Sequence, residues 1–235
     1  MSEEVYVLGG LRTPIGKFGG SLRSLTAVDL GAHVSRAALE AVEVEPQMVD
    51  LAVVGLARQA GTGPNPGRLI STGAGVPTSA PAYTVQQACL SGMLATIEGA
   101  RAIRLGEAEV VLAAGVEHMT NIPHFVFGAR WGKRMGDMTL VDGLFRDGFI
   151  DPLTGKHMGE LCDLLADRYG ISREAQDAFA LESQRRWAAA RAEQADDEII
   201  APVRAAGKVL LERDEHPRPN STADDVAKLE AAGLN

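Results

Sequence analysis

Residues 84–116, TVQQACLSGMLATIEGARAIRLGEAEVVLAAGV, change character twice. The opening residues, with Ala82 and Tyr83 before them, read as a strand. Residues 90–106 follow the three-and-four spacing of a helix, and 108–117 form a second short apolar run. A strand, a helix and another strand joined by short turns predict a unit of a parallel sheet. The turn between the first strand and the helix carries Cys89, one of two cysteines in the chain.

Working outward, VYVLGG at 5–10 reads as the first strand. Within 26–42 the apolar residues Ala27, Leu30, Val34, Ala37 and Ala41 predict one buried helical stripe, with Thr26 as N-cap. LAVVGLA at 51–57 is a buried strand. The Gly- and Pro-rich loop 58–67 leads to a short helix that Asn65 caps and Pro66 opens. These alternations predict an α/β fold with a layered, mainly parallel sheet over residues 1–118.

Past Glu117 no period is sustained, and residues 118–157 are rich in Gly, Met and aromatics. Two helices are predicted at 158–169, stopped by Gly170, and at 173–194, capped by Ser172. A strand pair follows at 198–204 and 208–215. Residues 119–235 are therefore expected to be an inserted, loop-rich α+β lobe. Cys162, among Leu161, Leu164 and Leu165, is expected to pack.

Composition narrows the function. A formal charge of −8 disfavours nucleic acid as a partner. Local basic groups at 130–134 and 216–219 still suit a small anion. No apolar run is long enough to span a bilayer, and the first ten residues lack the basic and apolar regions of an export signal, so a cytoplasmic protein is expected. Two cysteines 73 positions apart, with no paired or His-flanked spacing, predict neither a disulfide framework nor a metal site.

A strand that turns directly into a helix presents its turn residue at the carboxyl edge of the sheet, where ligands of open α/β folds bind. At Cys89 the amides of Leu90, Ser91 and Gly92 are expected to face the sulfur, and the positive helix end favours thiolate. The same residue type also fills small apolar gaps, and position alone leaves both roles open.

Several segments in order, RTPIGKFGGSL, NPGRLISTGAGVP, ACLSGMLATIEGARAIRLGEAEVVLAAGVEHMTN, HMGELCDLLADRYGISREAQDAFALESQRR, DEIIAPV and DEHPR, resemble the thiolase family, the enzymes that make or cleave 3-ketoacyl-coenzyme A. The resemblance runs along nearly the whole chain and implies a thiolase-like amino-terminal half. It makes Cys89, in its Cys-x-Ser-Gly turn, the acyl-accepting nucleophile. It places Phe149, His157 and Met158 along the tunnel for the pantetheine arm and acyl group, and Arg218 near the nucleotide end of coenzyme A. A coenzyme A thioester is then the substrate, with no permanently bound cofactor and no metal. Residues 127–137 fall where thiolases extend loops that pair subunits, which implies a homo- or hetero-oligomer.

By the same resemblance, a histidine in Gly-His-Pro, a second cysteine in Cys-x-Gly and an Asn-containing oxyanion site belong to a carboxyl-terminal half. None of these motifs occurs here; the histidines are His33, His118, His124, His157 and His216. The expectation is a nucleophile-bearing half whose base and second cysteine come from a missing half or a partner polypeptide. Two alternatives are a non-catalytic remnant that binds coenzyme A thioesters or scaffolds another subunit, and a condensing enzyme of the ketoacyl synthase type.

Overall fold

A computed structural model describes residues 4–193 and 199–229. In chain order its strands are β1 (Leu51–Gly55), β2 (Ala82–Val85), β3 (Val111–Gly115), β4 (His124–Phe125), β5 (Val141–Asp142), β6 (Val203–Ala205) and β7 (Lys208–Leu211). Its α-helices are α1 (Ala27–Ala41), α2 (Pro66–Gly73), α3 (Ser91–Arg104), α4 (Met158–Tyr169), α5 (Arg173–Ala192) and α6 (Ala223–Ala227).

β1 is apolar throughout because both of its faces are covered, as a central parallel strand requires. It pairs in parallel with β2 and β3, giving the order β2-β1-β3, with Val53 beside Tyr83 and Ala113. Alternate residues serve opposite layers. Ala52 and Leu112 pack with Leu39 of α1, whereas Leu51 and Val53 pack with Ala95 and Ala102 of α3. The sheet thus lies between helices, and the three parallel strands end together at Gly55, Val85 and Gly115.

Thr26 caps α1 through its hydroxyl, with Asp29 returning the bond, and Asn65 accepts from the Arg68 amide at the start of α2. The buried stripe of α1 differs from the expected one. Ala27 and Leu30 are buried, but the stripe continues through Gly31, Ser35 and Leu39 rather than Val34, Ala37 and Ala41. The cause is α2: a Cβ at Gly31 would lie 2.6 Å from Ile70 Cδ1, so this bare backbone takes the closest approach and turns α1 toward it.

Residues 5–10 are not a strand. Tyr6, Val7 and Leu8 are 72%, 82% and 66% exposed. An extended segment becomes a strand only where a neighbour takes its N–H and C=O groups. Among the described residues β3 pairs with β1 alone, and the ladder near this segment is a single bridge at Arg12, whose N–H donates to Ile199 and whose carbonyl accepts from Ala201.

The chain divides into two compact units, 1–122 with 199–215 and 123–198 with 216–235. This differs from the division at 118/119, because β6 and β7 return to the first unit. Ala206 and Gly207, at φ 47° and 75°, supply the two left-handed residues of a tight hairpin turn between them. Val203 joins Leu22 and Leu30 in a core cluster. Arg12 grips Asp214 with two parallel bonds of 2.8 and 3.0 Å, and Glu215 accepts from the Lys17 amide at 2.7 Å and from the Ser21 hydroxyl at 2.5 Å. The strand expected at 198–204 is described only from Ile199 onward, and residues 194–198 lie outside the described residues.

In the second unit α4 and α5 form as their sequence period predicts. Gly170 ends α4 at φ 63°, and the Ser172 hydroxyl accepts from the Ala175 amide to start α5. Cys162 does not pack: it is exposed, as are Leu164 and Leu165 at 51% each. No described helix is long and apolar enough to cross a membrane.

Candidate active site

β2 ends at Val85, and five residues carry the chain into α3. Leu90 N–H donates to Gln87 O at 3.0 Å, and Ser91 N–H to Ala88 O at 3.1 Å. Ala88 takes a left-handed φ of 48°, a conformation that L-residues other than Gly rarely adopt. Cys89 lies within this turn, its thiol free and the residue exposed. The expected set of amides facing the sulfur is therefore corrected: those of Leu90 and Ser91 are spent closing the turn. The end of α3 keeps no side-chain cap and no acidic residue in its first turn, so nothing there offsets the positive helix end.

The first turn of α3 lies directly on strand backbone. A Cβ at Gly55 would stand 2.2 Å from the carbonyl carbon and oxygen of Ser91, and one at Gly115 would stand 2.9 Å from Gly92 Cα. Glycine at these strand ends is what lets the helix start, and the Cys89 turn ahead of it, reach the carboxyl edge of the sheet. Sequence reading missed this; the signal was a Gly at the close of two apolar strands and a third Gly at the second residue of the helix.

Glu117, two residues past β3, was also missed. The backbone of Ala57, Arg58 and His118 and the Arg58 guanidinium, whose Nη1 lies 3.8 Å away, favour the charged form of its carboxyl. Burial is the largest influence and raises this carboxyl above its ordinary value, with Arg58 and the backbone donors pulling it back. Gln86 Nε2 donates to Ala57 O at 3.1 Å. The loops that follow β1, β2 and β3 are thereby tied to one another beside Cys89.

The other expected site residues fall in the second unit. Phe149 closes a π-helical turn, Phe145–Phe149, and its ring meets the His157 ring edge-on at 5.8 Å. His157 Nδ1 accepts from the Gly159 amide at 3.0 Å, and Glu160 accepts from the His157 amide at 2.7 Å, so His157 is the N-cap of α4. Met158 opens that helix and is 44% exposed. Arg218 is exposed; its N–H donates to Gln184 Oε1 at 2.7 Å, and its carbonyl accepts from the Ser221 amide and hydroxyl. With Ser221, Asp225 and Leu229 it borders an open depression of about 430 Å³. Phe149, His157 and Met158 are brought together, and Arg218 stands apart from them in sequence and in its contacts. No described group of three or more His, Cys, Asp or Glu residues could hold a metal ion.

A family model described as the thiolase N-terminal domain matches residues 5–233. The acetyl-CoA acetyltransferase of Schizosaccharomyces pombe is 41% identical over 98% of this chain and 60% of its own length. That of Cupriavidus necator is 42% identical over 97% and 59%. A solved acetyl-CoA acetyltransferase from Syntrophomonas wolfei superposes with a TM-score of 0.90 at 39% identity, covering 95% of this chain and 56% of that one. The chain thus spans about three fifths of the length of these relatives.

Proposed function

This chain belongs to the thiolase family, and on that premise we propose that it is the nucleophile-bearing part of an acyltransferase acting on acyl- and 3-ketoacyl-coenzyme A. The observation that carries the proposal is an exposed, free Cys89 on a strained turn at the carboxyl edge of a parallel sheet. In the first stage its sulfur attacks the thioester carbonyl, a new carbon–sulfur bond forms to Cys89, and the coenzyme A thiolate departs. The proton shed by Cys89 goes to a base and then to the leaving thiolate. In the second stage a carbon nucleophile formed by taking a proton from acetyl-coenzyme A attacks the acyl carbon, and Cys89 leaves as thiolate. In the reverse direction Cys89 attacks the 3-keto carbon, the bond between carbons 2 and 3 breaks to release acetyl-coenzyme A, and a coenzyme A thiolate then takes the acyl group and frees Cys89.

The base and the proton carrier of the second stage come from outside these 235 residues, from further chain or from a companion polypeptide. Phe149, His157 and Met158 border the acyl and pantetheine path, and the exposed guanidinium of Arg218 meets the nucleotide end, a contact suited to phosphate. The surface at 126–140, with Phe127, Trp131, Met135 and Leu140 between 57% and 88% exposed, pairs subunits. Two exposed free thiols suit a reducing compartment such as the cytoplasm.

The test is the mass of the protein purified from its source with its companions and mixed with acetyl-coenzyme A. An acetyl increment on the Cys89 peptide is expected, lost in Cys89→Ala with an unchanged unfolding midpoint. Acylation of Cys89→Ala at the parent rate overturns the assignment, and thioester binding without any acylation makes the chain a binding remnant.

A further inference from the structure

We infer that Ser91 is a positioning residue for the nucleophile, a reading that rests on the proposed role of Cys89. Ser91 is 4% exposed, and its hydroxyl works in both directions. It accepts from Gln87 N–H at 2.9 Å and donates to Ala88 O at 2.6 Å. Together with the Ser91 and Leu90 amides, these bonds close the five-residue turn from both ends around Cys89. Ala88 needs such a clamp. Its φ of 48° is unfavourable for any residue with a Cβ, and the turn keeps that conformation only while the surrounding bonds enforce it. The hydroxyl does not act on the acyl group. It holds the Ala88 peptide, and so the direction in which the Cys89 side chain leaves the sheet edge.

The experiment is site-resolved alkylation of the 235-residue chain by iodoacetamide, with Cys162 in the same molecule as internal reference. Both cysteines are exposed. Ser91→Ala is expected to lower the Cys89/Cys162 rate ratio about tenfold, as the released turn takes the sulfur away from the uncapped positive end of α3 that assists its attack. Ala88→Gly, which adopts the left-handed φ without strain, is expected to leave the ratio within about twofold of the parent. Added to Ser91→Ala, it is expected to recover at least half of the logarithmic loss. A side chain that only filled space would show no such rescue. A ratio unchanged in Ser91→Ala, or a loss that Ala88→Gly leaves untouched, overturns the inference. If Ser91→Ala unfolds, Ser91→Thr decides: it keeps the oxygen, and a folded Ser91→Thr that loses the full tenfold refutes the clamp. Alkylation needs no acyl transfer, so failure of acetylation in the parent would refute the proposed function while this result still stood.

Discussion

Gly55→Ala tests how the Cys89 turn is seated. The added Cβ would stand 2.2 Å from Ser91 C and O and 2.6 Å from Gly92 N, where atoms of this kind do not come closer than 3.0 Å. Either β1 or the first turn of α3 must withdraw by at least 0.8 Å, the gap between 3.0 Å and 2.2 Å. Both are backbone, and β1 is held on both sides by strands, so the helix start yields. Overpacking of this kind costs about 1–3 kcal/mol, which for a chain of this size lowers the unfolding midpoint by roughly 2–12 °C. A shift near 1 Å of a group that acts on a bound substrate costs about a hundredfold in rate, and a free alkylating reagent feels a smaller part of it. The neighbouring glycines grade the effect. A Cβ at Gly115 meets Gly92 Cα at 2.9 Å, barely too close, and one at Gly92 meets Gly115 Cα at 3.5 Å, an ordinary contact. Thermal unfolding and the Cys89/Cys162 alkylation ratio should therefore rank Gly55→Ala worst, Gly115→Ala mild and Gly92→Ala close to the parent. Gly92→Ala as damaging as Gly55→Ala, or Gly55→Ala without effect, would refute backbone contact as the device that seats the turn.

At Glu117, burial raises the carboxyl in the folded chain, so the folded state holds a proton that the unfolded state has released; stability then falls as pH rises from about 4.5 toward the raised value. Glu117→Gln should abolish that slope in pH-dependent denaturation. At neutral pH the neutral amide, like the protonated acid, should be no less stable than the ionised parent, since burial outweighs the pull of Arg58 and the nearby backbone on this carboxyl; retention of the slope assigns it to another group. His157→Ala removes the acceptor for the Gly159 amide and should cost about 1 kcal/mol, with His157→Asn restoring most of it; equal losses in urea titration would show that the ring packs rather than caps. Arg218→Ala should weaken binding of a coenzyme A thioester more than that of a short N-acetylcysteamine thioester in calorimetry, and equal effects on both would place Arg218 outside the substrate path.

The helices were legible because each carries its own punctuation. Thr26, Asn65 and Ser172 accept from the helix amides as their spacing predicts, and Gly170 takes the left-handed φ that ends α4. The strands β1 to β3 were legible as apolar runs. What escaped depends on distant neighbours. Residues 5–10 have strand composition but no adjoining ladder, the α1 stripe is turned by Ile70 from another helix, and Cys162 lies in an apolar run that leaves it exposed. At the candidate site Cys89 was found from its turn. The support from Ser91, Gly55 and Gly115 escaped a reading by period, because a hydroxyl bonded to its own turn and a glycine under another backbone leave no periodic trace, and only the glycines closing two apolar strands mark it.

The return of β6 and β7 to the unit that carries Cys89 makes the segment between Ile122 and Ile199 an excursion that leaves this unit and comes back to it. The entropy of closing such a loop rises by only about 0.6 kcal/mol for each doubling of its length. Its returning end is fastened by the Arg12 ladder with Ile199 and Ala201 and by the Arg12–Asp214 grip. The excursion can therefore lengthen, shorten or be exchanged for another at little thermodynamic expense to the sheet. On the proposed path past Phe149, His157 and Met158, selectivity for one acyl chain over another would be remodelled there while the turn that carries Cys89 is left alone.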